Sequence, residues 1–263
     1  MLKKNLIGFV GLSHLSFSYS LASAKKNYKV VMYDFDNKLM KKFKNFKLDF
    51  NEKSLLKKFK TYINFYNLDN KLKSLNNCNL IFISLDVKTD EKNTADYSEI
   101  KRYINILHKN LNKKIPFIIQ SQLQPGFCDN LKIENREIYY QVETLIFGKA
   151  FQRAYSPDRI IVGCKNNKKK LNNFYLNYLA KFNCPVIKMN FYSAEISKIA
   201  INIFLSSSVT VANMLARISE RLGSNYKDIE IALRSDKRIG SKSYLSAGLG
   251  ISGGNLERDL SSL

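Results

Sequence analysis

The chain alternates short apolar runs with longer polar or amphipathic stretches. Apolar runs fall at Leu6–Gly11, Val30–Tyr33, Leu80–Leu85, Phe117–Ser121, Ile138–Val142, Ile160–Gly163 and Val186–Lys188. Each has strand length and is continuous, as strands covered on both faces must be. Between most of them lie stretches long enough for helices, such as Leu15–Lys25 and Tyr97–Asn112. This alternation predicts parallel crossover units and an α/β fold, a doubly wound parallel sheet.

The pattern changes near Asn190. Ser193 is a fair helix N-cap, and Glu195 places a carboxylate in the first turn. A long helix then runs to about Leu222 and ends at Gly223, followed by a shorter one from Tyr226 to Leu233 and a glycine-rich tail. The chain therefore divides near residue 188 into an α/β domain (1–188) and a mainly helical one (189–263). The segment Ile199–Ile218 is apolar, but Asn202, Ser206 to Ser208, Thr210 and Asn213 interrupt it. It reads as a buried helix rather than a membrane span. The opening MLKKNLIGFVGL lacks a small-x-small cleavage site and reads as a first strand rather than a signal peptide.

The net charge of +21 is the one abnormal bulk property, with 43 Lys+Arg against 22 Asp+Glu. Attraction to phosphates is one reading. The other is a coding bias, since the chain is rich in Lys, Asn, Ile, Phe and Tyr and has no Trp. The lysines are spread along the chain without an aromatic-interleaved patch, so no nucleic-acid partner is expected. The four cysteines stand far apart, no C-x-x-C occurs, and there are 2 histidines. No metal site is expected, and free thiols in a reducing cytoplasm are the default.

Two stretches carry candidate chemistry. Between the first strand and first helix, a dinucleotide-binding turn would read G-x-G-x-x-G. Here it reads Gly11-Leu12-Ser13-His14-Leu15-Ser16, with serines at the second and third glycine positions. Their hydroxyls are small enough to let a pyrophosphate approach the helix N-terminus. The second strand ends at Tyr33-Asp34, where a carboxylate would bind the ribose hydroxyls and repel a 2′-phosphate, favouring NAD. The order strand, turn, helix, strand, Asp makes the fold Rossmann-like. In the long helix, Lys198, Asn202, Ser206, Thr210, Asn213 and Arg217 form a polar stripe on one face. Lys198 and Asn202 stand side by side, as a general base or an oxyanion clamp would. A solvated stripe on an amphipathic helix is the plainer alternative.

Together these stretches resemble the UDP-glucose/GDP-mannose 6-dehydrogenase family. Besides the first crossover unit, LIFISLDVKTD with Ala95-Asp96-Tyr97-Ser98, SQLQPG, ETLIFGKAFQRAYSPDRIIVG, SAEISKIAINIFL, DKRIG and GLGISGGNLERD follow the family's motifs in order. The resemblance implies an NAD-dependent oxidoreductase acting on the C6 alcohol of a nucleotide sugar. It also implies an NAD-binding domain, followed by a central domain that dimerises through the helix 194–222. It assigns Glu143 to acid/base work, Lys198 and Asn202 to the substrate oxygen, and Asp259 to water activation. Arg238, Tyr244 and Gly250 match substrate contacts. Gly11 to Ser16, Asp34, Ser121 and Gln122 match the cofactor site.

The departures are as informative. The family's nucleophilic cysteine aligns with Asn255, beside Gly253-Gly254. Thr, Arg and Glu of its motifs are Gln122, Ile146 and Phe147. The family's third domain, which grips the nucleotide, has no counterpart in the stretch up to Leu263. An amide cannot form the thioester of a second oxidation, so a single hydride transfer is expected. The alternative expectation is a non-catalytic NAD-binding relative or fragment that partners an active subunit.

Overall fold

A computed structural model describes residues 5–47, 53–67, 71–90, 94–146 and 148–248. Phe147, Gly250, Gly253, Gly254, Asn255 and Asp259 lie outside the described residues, so their assigned roles rest on the sequence. Two compact units emerge: residues 1–88 with 96–196, and residues 89–95 with 197–263. The division falls inside the long helix, where the sequence reading drew it at residue 188.

The first unit is built on an eight-stranded sheet in the order β10-β9-β8-β7-β4-β1-β2-β3. Its strands are β1 (Leu6–Val10), β2 (Lys29–Tyr33), β3 (Tyr66–Asn67), β4 (Leu80–Ile83), β7 (Phe117–Ile119), β8 (Ile138–Gln141), β9 (Ile160–Cys164) and β10 (Val186–Asn190). Two-residue strands β5 (Lys88–Thr89) and β6 (Ala95–Asp96) form a separate ribbon. From β3 to β8 the pairing is parallel throughout. That order is the dinucleotide-fold order, with its switch point between β1 and β4. The expected all-parallel sheet is broken once, where β9 runs antiparallel to β8. The short β3 escaped the sequence reading because Tyr66–Asn67 is too brief for a period.

The helices are α1 (His14–Lys25), α2 (Asn37–Lys44), α3 (Lys53–Tyr62), α4 (Ser98–Asn110), α5 (Ala150–Tyr155), α6 (Asn173–Ala180), α7 (Phe191–Arg221) and α8 (Tyr226–Ser235). Helix α1 is buried on every side from Ser16 to Ala24. Its serines make that possible, because Ser18, Ser20 and Ser23 return their hydroxyls to backbone carbonyls of the preceding turn. Ser20 and Ser23 also meet the hydroxyls of Tyr66 and Tyr178, each at 3.0 Å. Phe17, Phe43, Phe59 and Tyr66 pack against one another edge-on or stacked. Phe9 and Phe82 stack at 4.9 Å, and Phe82 meets Tyr178 at 5.3 Å. Burying such a ring contributes about 2–3 kcal/mol each. Part of the lysine excess covers aromatic rings: Lys25 and Lys26 lie over Tyr155, and Lys181 over Tyr28.

Helix α7 departs from expectation in two ways. It begins at Phe191, not after Ser193, because the Asn190 side chain accepts the Ser193 N–H at 2.7 Å and starts the turn earlier. Glu195 therefore lies beyond the first turn. Nor is the helix buried along its length: Phe204 is 74% exposed, and Val211, Met214 and Ile218 are also exposed. By length and hydropathy it is one helix that qualifies to cross a membrane, which its apolar composition alone explains.

Candidate functional site

Gly11 ends β1 at the switch point. Its φ of +95° is open to glycine, and a Cβ there would lie 2.6 Å from the Ser84 carbonyl oxygen at the end of β4. Two strand ends are thus brought into near-contact. The Ser13 hydroxyl donates to that same carbonyl at 2.7 Å, and its oxygen accepts the Ser16 N–H at 3.1 Å as the N-cap of α1. The Ser16 hydroxyl donates to the Gly11 and Ser13 carbonyls. Both serines therefore spend their donors on the turn itself. They hold the loop shape that glycines would leave free, and the α1 N-terminus remains the anion-facing feature. Ser13 and Leu15 stand at the N-cap and in the first turn of α1, where backbone N–H groups point out of the helix end.

Asp34 follows β2 and is 4% exposed. Its carboxylate accepts the Leu12 N–H at 2.8 Å, the Asp36 N–H at 2.8 Å and the Tyr103 hydroxyl at 2.8 Å. The predicted ribose ligand is also the brace of the Gly11 turn. Tyr103, on α4, was missed by sequence reasoning, which had no means of bringing α4 to β2.

At the next strand ends, the Ser121 hydroxyl oxygen accepts the Leu85 N–H at 2.8 Å, and the Ser84 hydroxyl donates to Gln120 at 3.1 Å. Gln122 sits partly buried beside them. Glu143, half-buried beyond β8, accepts the Leu145 N–H at 3.0 Å. Asp86, just past β4, is exposed at one side, yet enough protein surrounds its carboxyl to push its pKa up. His14 opposes that shift and Glu143 adds to it. A carboxylate just past a switch-point strand was a signal the sequence reading passed over.

The PG turn is fixed by a residue 69 positions away: the Glu195 carboxylate, 0% exposed, accepts the Gly126 N–H at 2.6 Å and the Cys128 N–H at 2.9 Å. Gly163 makes the approach possible, because a Cβ there would lie 2.8 Å from the Ala194 side chain. Desolvation pushes the Glu195 pKa up, and the two amides pull it back. Cys128 stands against this carboxylate, and burial pushes its thiol well above the ordinary range. Burial raises Cys164 and Cys184 as well, and Cys78 to about 12. No described cysteine is poised as a nucleophile.

In the second unit, Lys198 and Asn202 sit one turn apart on α7, both partly buried. Farther along the stripe, Asn213 accepts the Gly248 N–H at 2.8 Å. Arg234 on α8 donates to the Ser241 and Ser243 carbonyls and pairs with Glu230. Tyr226 donates to the Leu245 carbonyl at 2.7 Å. The segment 241–248 is therefore strapped to both helices just before the glycine-rich tail. Arg238 is exposed and folds back on Asp236 at 2.7 Å, and Tyr244 is half-exposed.

The sheet order, the glycine turn and the acidic end of β2 define a dinucleotide-binding fold. Residues 5–179 match the NAD binding domain of the UDP-glucose/GDP-mannose dehydrogenase family, and residues 192–263 match its central domain. The chain belongs to that family. It is 28% identical over 195 residues to a UDP-glucose 6-dehydrogenase of Rickettsia typhi, covering 71% of this chain and 44% of the relative. The chain thus spans less than half of that relative's length. A UDP-glucose dehydrogenase of Pyrobaculum islandicum shares the fold at a TM-score of 0.80 and 20% identity, over 97% of this chain and 62% of that one. A GDP-mannose dehydrogenase of Pseudomonas aeruginosa does so at 0.77 and 16% identity, over 97% and 63%.

Proposed function

We propose that the chain binds NAD at the β1/β4 crevice and oxidises a CH–OH group of a nucleotide-linked sugar by one hydride transfer. The Gly11 turn supports this reading, since its positive φ and its close approach to the Ser84 carbonyl let the chain turn tightly from β1 into the N-terminus of α1 beside Asp34. The residues fit a dinucleotide. The Ser13 and Leu15 N–H groups would face its pyrophosphate, Asp34 its adenosine ribose, and Ser121 and Gln122 would line the nicotinamide end. NAD, when bound, supplies the hydride acceptor.

The oxidation removes a hydride from the carbinol carbon and a proton from its hydroxyl, leaving a carbonyl. By the family resemblance, Lys198 receives that proton as a base, and the Asn202 amide donates a hydrogen bond to the oxygen. Glu143 serves acid/base exchange. Arg238 and Tyr244 hold the substrate, and Gly250 and Asp259 stand where the family has a substrate contact and the water-activating carboxylate. Asn255 has no thiol, and the buried cysteines offer no substitute, so the carbonyl is not carried on to a carboxylate.

The exposed apolar face of α7 supports a homodimer through the helix 194–222. Phe204, Val211, Met214 and Ile218 are on that face, and a groove of about 590 Å³ runs along Thr210, Asn213, Arg217 and Arg221. Titration of the purified protein with NADH, alone and with a panel of UDP- and GDP-sugars, tests the reading. Saturable NADH binding that a sugar nucleotide strengthens is expected. NADH binding with no response to any sugar nucleotide would favour a non-catalytic partner subunit.

A further inference from the structure

We propose that Tyr103 acts as a gate on the adenosine-ribose site, its hydroxyl holding on Asp34 the place that a ribose hydroxyl must take. The inference rests on the NAD reading above and extends it to the control of cofactor affinity. A carboxylate offers about four acceptor directions. Three on Asp34 are filled, by the N–H groups of Leu12 and Asp36 and by the Tyr103 hydroxyl. A ribose diol presents two O–H donors, so one direction too few remains.

The backbone donors cannot withdraw. Leu12 N–H belongs to the turn whose Gly11 is locked against Ser84, and Asp36 N–H belongs to the N-cap turn of α2. The phenol can withdraw by rotating its side chain. Tyr103 is 2% exposed and packs edge-on against Phe35 at 4.6 Å, which in turn meets Tyr33 at 5.1 Å. Phe35 and Tyr33 are both partly exposed, so this aromatic trio has room to shift outward. The Tyr103 pKa is pushed up by desolvation and by Asp34, so the phenol stays a donor across the neutral range. Cofactor entry therefore exchanges one buried hydrogen bond for another, and affinity is reduced by the bond given up.

The test is the dissociation constant of NADH for the wild-type chain and for Tyr103→Phe, which keeps the ring and removes the hydroxyl. Loss of the competing bond to a charged acceptor tightens NADH and ADP-ribose by roughly tenfold. Reduced nicotinamide mononucleotide, which lacks the adenosine ribose, binds unchanged. A merely structural role would weaken all three ligands together. Tyr103→Leu, which also lacks the hydroxyl, gives the same sign and covers the case in which the Phe variant fails to fold. Equal or weaker NADH binding by the variants overturns the gate and leaves the dinucleotide reading standing. Failure of wild type and variants alike to bind NADH at millimolar concentration overturns both.

Discussion

Replacing Glu195 by Gln tests whether the PG turn is held from α7. The carboxylate is fully buried and accepts two backbone N–H groups, Gly126 at 2.6 Å and Cys128 at 2.9 Å. A glutamine of the same shape offers one carbonyl oxygen, and its NH2 group must face the second amide. A buried donor left without an acceptor costs about 1–3 kcal/mol, and a charge-assisted bond is worth about 1.5–3 kcal/mol. Removing a desolvated charge returns part of this, as the upward pull on the Glu195 pKa indicates. The net expectation is a destabilisation of about 2 kcal/mol, which in a chain of this size lowers Tm by roughly 4–8 °C. Amide exchange resolved at Gly126 and Cys128 should accelerate, while amides in β1 and β4 keep their relative order of protection. NADH affinity should fall with it, because Ser121 and Gln122 stand at the start of the same loop. A Tm within a degree of wild type, with unchanged exchange at both amides, would refute the latch.

Other substitutions follow the same reasoning. Gly11→Ala must move the Ser84 carbonyl or leave the left-handed region, so NADH binding should be lost while the helical signal in circular dichroism persists. Asn213→Ala frees the Gly248 N–H, and exchange at that amide should rise with little change in Tm, because the bond is exposed. Thiol chemistry gives a pH test. Burial raises all four cysteines, so the native state binds their protons more tightly than the unfolded chain does. This contribution to stability is present below the ordinary thiol pKa and is lost as pH rises past about 9. Native protein should react slowly with a disulfide reagent at pH 8 and faster toward pH 10. Rapid labelling of one cysteine at pH 7 would restore a candidate nucleophile.

What was legible in the sequence is what local pattern encodes. Continuous apolar runs gave the sheet, and Gly11, Ser13, Ser16 and Asp34 declared the dinucleotide-binding turn because turn and strand end are close in sequence. Pairings across long separations were not legible: Tyr103 reaches Asp34 through the placement of α4, and Glu195 reaches Gly126 through a Gly163–Ala194 contact. Glu195 was read as a helix-dipole carboxylate, the role its residue type suggests nearest a helix start. Hydropathy marked α7 as apolar and implied burial, but it cannot say whether the covering surface lies in the same chain. The serines of α1 lowered its apolar count although they are as buried as its apolar residues, since each returns its hydroxyl to the backbone.

The central claim is a single hydride transfer by a chain that carries Asn255 where the family has its cysteine. Counting the NADH formed per molecule of UDP-glucose, and per molecule of other UDP- and GDP-sugars, at complete conversion by the purified chain addresses it directly. The account predicts one NADH per sugar with an aldehyde as product. Two NADH per sugar, or no NADH from any nucleotide sugar, would contradict it.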